Sequence, residues 1–127
     1  MTPHNLLYTA DHGWLRLEGE EAVVGITDHA QKALGELTFI ELPKVGRAVK
    51  ARGPLAVVES VKAASEVLAP VSGVVAAVNT ALAKAPETIN ASPYDRGWIC
   101  RLTGLDRATL GGLMDAEQYA KQFGRAR

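Results

Sequence analysis

The chain has 127 residues, enough for one domain with a real core, since a chain of this size buries roughly two-thirds of the surface its unfolded form exposes. Its 14 Lys and Arg balance 14 Asp and Glu, which argues against a nucleic-acid binder that neutralises phosphates and against a polybasic membrane anchor. A hydrophobic content of 47% with 22% charged residues fits a folded chain, and a lone cysteine, Cys100, excludes an intrachain disulfide or a Cys-rich zinc site.

The longest apolar runs, 55–58 and 74–78, have strand length and fall far short of the ~18 residues of a membrane span. Residues 1–8 contain no basic stretch leading into a long apolar one, so neither a signal nor a transit peptide is expected. The free thiol fits a reducing compartment, and the cytoplasm is the expected location.

In chain order, the segment from Trp14 to Glu18 alternates apolar and polar residues, 18–21 reads as an acidic turn, and 22–26 as a returning strand. Thr27 and Asp28 can each cap a helix that Ala30, Gln31, Lys32, Ala33 and Leu34 favour and that Gly35 ends. Residues 38–42 are strand formers stopped by Pro43; 49–52 read as a short polar strand, and 55–58 as a buried one. A turn at 71–73 precedes a strand at 74–78. Residues 80–93 are expected to be loop, broken by Pro86 and Pro93, and 97–102 return to strand. Asp115 and Gln118 match a capping box for a C-terminal helix in which Met114, Tyr119 and Phe123 fall near helical spacing and Gly124 marks the stop. Trp14 and Trp98 are expected as core anchors, and Cys100 as a buried, inert thiol.

Residues 59–66 are ambiguous. Ala63 and Ala64, with the Glu59–Lys62 and Lys62–Glu66 spacings, favour a salt-bridged surface helix. The other reading is a tight hairpin with Lys62 at its tip, 55–58 running out and 67–69 running back; no Asn-Gly or Asp-Gly marks such a turn. His4, His12 and His29 have no carboxylate or thiol at ligand spacing, so no metal site is expected, though His12 or His29 could line a cleft. No nucleophile–base pair or phosphate loop supports an enzyme, and no catalytic residue is assigned.

The run Val57-Val58-Glu59-Ser60-Val61-Lys62-Ala63-Ala64-Ser65-Glu66, followed by Pro70-Val71-Ser72-Gly73, resembles the lipoyl-lysine segment of the glycine cleavage H-protein family. Further blocks resemble the same family: Tyr8-Thr9-Ala10-Asp11-His12, Val24-Gly25-Ile26-Thr27-Asp28-His29-Ala30-Gln31, Ala33-Leu34-Gly35-Glu36, Phe39-Ile40-Glu41-Leu42-Pro43, and Ile89-Asn90 with Ser92-Pro93-Tyr94 and Gly97-Trp98. They stand in the family's order over nearly the whole chain.

The resemblance implies a mainly β, hammerhead (barrel-sandwich hybrid, lipoyl-domain-like) fold with a short early helix and a C-terminal helix, as a single domain over 1–127. It implies that Lys62 carries lipoate in amide linkage on an exposed hairpin, with Glu59 and Gly73 as the recognition residues three before and eleven after it. Val61 and Ala63 stand where a biotin acceptor usually has Met on both sides. The implied function is a carrier that is not itself an enzyme. It takes the aminomethyl group of glycine from a pyridoxal-phosphate decarboxylase to a folate-dependent aminomethyltransferase, and a dihydrolipoamide dehydrogenase reoxidises the dithiol. A lipoate ligase or octanoyltransferase would load Lys62, and the chain is expected to be a monomer. The alternatives are a lipoyl or octanoyl relay in lipoate assembly and a non-acylated interaction module, against which the retention of Lys62, Glu59 and Gly73 counts. One departure stands out. Where the family commonly has Glu between the His and Trp of its N-terminal motif, this chain reads His12-Gly13-Trp14. That leaves Glu66 as the acid expected to meet the loaded arm, and implies weaker protection of the load.

Overall fold

Two antiparallel sheets form the body of the computed structural model, which describes residues 5–124. The larger sheet has six strands, in the order β1 (Leu7–Tyr8), β2 (Gly13–Glu18), β3 (Glu21–Ile26), β9 (Cys100–Thr103), β8 (Gly73–Val78) and β5 (Ala48–Val49). The smaller has three, in the order β4 (Leu37–Glu41), β6 (Pro54–Ser60) and β7 (Ala64–Leu68). Their facing sides enclose one core that includes Leu15, Val24, Leu55, Val58, Val75 and Leu102. This is the expected mainly β hammerhead arrangement.

Strand β3 explains why 22–26 read as an unbroken apolar run. Ala22, Val24 and Ile26 face the core between the sheets, while Val23 faces a second cluster with Leu6, Tyr8, Trp14, Ala116 and Tyr119. A strand covered on both faces loses its polar alternation. Trp14 pairs with Gly25 across β2 and β3, and its indole covers that glycine: a Cβ there would lie 2.6 Å from the ring. Trp14 is fully buried, and its indole N–H donates to the Pro93 carbonyl at 3.0 Å.

Helix α1 (Asp28–Leu34) follows β3 directly. Thr27 is its cap, its hydroxyl accepting from the Ala30 N–H at 3.2 Å, and Gly35 closes it with φ of 84°. At the C-terminus, Asp115 and Gln118 form the expected reciprocal capping box at the start of α4 (Ala116–Tyr119), and the backbone continues as a π-helical turn over Ala120–Gly124. The buried Ala116 and Tyr119 seat this helix on the outer face of the larger sheet. The Phe123 side chain lies outside the described residues.

Three sequence expectations are corrected. Residues 80–93 are not simply loop: α2 (Ala81–Lys84) and α3 (Thr88–Ala91) are single helical turns whose fully buried Leu82 and Ile89 plug the core. One turn is too short to show a helical period, and Pro86 lies between the two. The strand expected at 49–52 is limited to β5, because Arg52 takes a left-handed φ of 70° and Gly53 N–H bonds back to the Lys50 carbonyl at 2.8 Å. The last strand starts at Cys100 rather than at Gly97, and a 3-10 turn over Arg107–Gly112, which no pattern marked, follows it.

A methyl group at position 25 has to displace the Trp14 ring. Gly25→Ala is therefore expected to lower unfolding free energy by about 1–3 kcal/mol, the usual cost of overpacking, read as a lower urea midpoint at an unchanged slope.

Candidate functional site

Residues 59–66 form a hairpin, not a helix. Strand β6 lies between β4 and β7, with Val58 paired to both Ile40 and Ser65, so its pairing is fixed by two neighbours distant or reversed in sequence. Local helix propensity, worth tenths of a kcal/mol per residue, loses to that pairing and to the burial of Leu55, Ala56 and Val58.

The turn is only two residues long. Ser60 N–H donates to the Ala63 carbonyl at 2.7 Å, and the Ala63 N–H donates to the Ser60 hydroxyl at 3.2 Å, leaving Val61 and Lys62 at the tip. Neither has positive φ, which is why no Asn-Gly or Asp-Gly was needed to mark it; the serine hydroxyl takes the place of a backbone bond. Val61 is 89% exposed and Lys62 is exposed. Among the described residues Lys62 has no ion-pair partner. Its stem lies against the end of α1: a Cβ added at Gly35 would be 3.6 Å from Lys62 Cε.

The other predicted residues divide. Glu59 is exposed on β6, directly opposite Phe39 and Ala64, within reach of the lysine turn. Gly73 opens β8 in the other sheet, where a Cβ would meet the Thr103 carbonyl oxygen at 2.8 Å and Leu105 Cδ2 at 3.2 Å. Backbone approach alone accounts for that glycine, so its first role is packing. Glu66 bounds a small cleft between α1 and β7, together with Asp11, Gly13, Ala30 and Leu34. Strand alternation puts it in one row with Glu41 and Val57 on the outer face of the small sheet, and the buried Val58 pairs instead with Ser65. The three strands of that sheet carry Glu41, Glu59 and Glu66 and no Lys or Arg.

Sequence reasoning named His12 or His29 only as cleft-lining residues and missed the polar cluster they form beside this cleft. The turn before β2 puts His12 in the left-handed region, φ 68°, and stacks its ring on His29 of α1 at 4.2 Å. His12 Nδ1 lies 2.8 Å from the Tyr119 hydroxyl, which lies 2.9 Å from Thr27 Oγ1. Burial, then the neighbouring His29, push the His12 pKa below its ordinary value, against a smaller opposing effect of Asp11. Spacing gives no hint of this pair, since the residues come together only through β2–β3 pairing. The described residues include no group of three or more His, Cys, Asp or Glu that could hold a metal ion. Cys100 is fully buried, and desolvation pushes its thiol up to about 12, so it is inert as expected.

The model of the glycine cleavage H-protein family matches residues 6–125. The chain belongs to that family. It is 53% identical over 113 residues to the glycine cleavage system H protein of Bradyrhizobium diazoefficiens, covering 89% of this chain and 93% of the other. It is 50% identical over 117 residues to that of Thermus thermophilus, covering 92% and 91%. A glycine cleavage system H protein from Mycobacterium marinum, solved by crystallography, superposes with a TM-score of 0.87 at 40% identity, covering 96% of this chain and 98% of that one. The H-protein blocks read in the sequence thus fall where the fold needs them: Thr27 at the helix cap, Pro93 at the Trp14 indole, Asn90 under Gly35 and Lys62 at the tip.

The depressed His12 pKa has a sign. The unfolded chain takes up a proton near the ordinary histidine value of about 6.5, and the folded chain does so only at lower pH. Stability is full above that value and declines as pH falls through it. Bonds from Arg101 and Arg16 hold the Glu18 carboxyl below its ordinary value. Thermal melts at pH 7.5 and 5.5 should show a drop for the native chain that shrinks in His12→Asn, a residue that tolerates positive φ.

Proposed function

We propose that this chain is the lipoyl-bearing carrier of glycine cleavage, a single domain that holds lipoate in amide linkage on Lys62. The observation that carries this is the placement of one exposed lysine at the tip of a two-residue turn, in a chain of the H-protein family. The relatives' names favour glycine cleavage over a relay role in lipoate assembly.

The residues present fit such a group. Val61, Ala63 and Ala64 give the tip no bulk beyond one valine, so the hairpin can enter a narrow partner cleft. Strands β4, β6 and β7 keep the tip from folding back, so the backbone at Lys62 is held out from the body. When bound, the group supplies a dithiolane that accepts the one-carbon fragment and is later reoxidised. Glu59, one pair below the turn, gives the attaching enzyme a carboxylate at a set position relative to the amine. Gly73 acts at a distance, by letting β8 lie close on β9. The partners on this reading are the pyridoxal-phosphate glycine decarboxylase, the folate-dependent aminomethyltransferase, dihydrolipoamide dehydrogenase, and the ligase or octanoyltransferase that loads Lys62. The protein carries and the partners catalyse. Among the described residues no helix is long and apolar enough to cross a membrane.

Intact mass spectrometry after co-expression with a lipoate ligase and lipoate should show a single lipoyl increment, mapped to Lys62 and absent in Lys62→Arg. Glu59→Gln should slow its appearance several-fold while melting like the native chain. An unmodified chain with intact circular dichroism would sink the carrier reading.

A further inference from the structure

Between Glu41 and Glu59 the chain carries four cations and no acid: Lys44, Arg47, Lys50 and Arg52, all of them exposed. Among the described residues Lys44, Arg47 and Lys50 form no ion pair, and Arg52 meets Asp11 only at 3.8 Å. Their backbone is fixed on both sides. Gly46 N–H donates to the Val75 carbonyl at 2.7 Å, Val75 N–H to the Arg47 carbonyl at 2.9 Å, and Arg52 N–H to the Ala69 carbonyl at 2.7 Å. Strand β5, inside this segment, is the outer strand of the larger sheet, and cations on an open edge can serve simply to stop edge-to-edge pairing. Edge protection needs no cavity, however, and Lys44 and Arg47 line one of about 220 Å³, together with Leu42, Pro54, Ala56 and one acid, Glu41. Arginine beside an apolar seat is the make-up of a protein–protein contact.

We infer that residues 44–52 are a second docking point, for an acidic patch with an apolar side chain on an enzyme that takes the Lys62 arm; this rests on Lys62 being the lipoyl attachment site. Strand β6 starts beside these cations, where Arg47 reaches the Pro54 carbonyl at 3.4 Å, and ends at the lysine turn. Over the seven residues of β6, at about 3.3 Å each, the two places lie about 20 Å apart. That exceeds the screening length of about 8–10 Å at physiological salt, so a partner meets them as separate charges. Their signs are opposite: Glu59 and Glu66 stand toward the tip, and the four cations stand at the root. A chain of zero net charge does not draw a partner in as a whole, but two opposite patches orient it as it approaches. Contact at the root then holds the body while the tip enters. A nucleic acid fits less well, because the segment has no aromatic side chain to stack on a base. A lipid surface also fits less well, because Val45 is the segment's one exposed large apolar side chain.

The test compares the lipoylated native chain with lipoylated Lys44→Gln/Arg47→Gln/Lys50→Gln, using purified glycine decarboxylase, aminomethyltransferase and dihydrolipoamide dehydrogenase. Arg52 is left in place, because its left-handed backbone, φ 70°, and its contact with Asp11 belong to the fold. With at least one of these enzymes the triple variant is expected to raise KM for the carrier several-fold at unchanged kcat, while Lys44→Arg/Lys50→Arg keeps the native KM. Added salt should raise the native KM toward that of the variant. Native KM values with all three enzymes would overturn the inference. If they come with lost binding to phosphatidylglycerol vesicles or to a single-stranded oligonucleotide, the edge belongs to a lipid or a nucleic acid; if they come with aggregation, it serves edge protection alone. Should the triple variant melt early, Lys50→Glu alone, at an exposed position without an ion pair, is expected to raise KM in the same direction, and a native KM there overturns the inference equally. A chain that gains no lipoyl mass refutes the carrier reading instead, and is seen before any kinetics are measured.

Discussion

The Tyr119 hydroxyl joins three segments that are far apart in the chain. It bonds to His12 in the turn before β2 and to Thr27 at the head of α1, and its own ring, fully buried, stacks on Tyr8 at 4.7 Å. Burial raises its pKa, so the phenol remains a neutral hydroxyl through the physiological range. Thr27 in turn caps the helix, so one hydroxyl chain fixes where α1 begins. Losing it would strand buried polar groups at a cost of about 1–3 kcal/mol each. The position of α1 then decides the site, because its end meets the stem of Lys62 and its side bounds the cleft toward β7.

The site is built from mismatched stabilities. The body around Trp14, Tyr8 and Tyr119 is dense with aromatic contacts, and the small sheet reaches beyond it. Toward the tip of the hairpin the burial ends: Val58 is buried, Glu59 and Ala64 are exposed, and the turn is held by the paired strands and the Ser60 hydroxyl. A carrier needs both properties, a body that holds its shape while different partners bind and a tip outside the core packing.

Much of this was legible in the residues. Thr27 before an Ala-rich stretch, Gly35 after it, and Asp115 with Gln118 are local signals, and the bonds they announce are all present. The hairpin was not legible by propensity. Residues 59–66 favour a helix when read alone, and only the pairing of β6 with β4, set by a strand some twenty residues earlier, decides otherwise. The resemblance carried that point where physics could not. Helix α3 is a single turn in a stretch read as loop, and the His12–His29 stack exists only in three dimensions.

The charge of the small sheet gives the lysine a second meaning. Its strands carry three carboxylates, and Lys62 is the cation at their tip, so the face sums to −2 with the free amine and to −3 once an amide forms. The whole chain moves with it, from a formal net charge of zero to −1. On the proposed reading, acylation of Lys62 changes the surface potential at the tip of the hairpin. On that reading the acylated and free chains differ in isoelectric point as well as in mass, and a partner with a basic rim meets a stronger attraction from the acylated form.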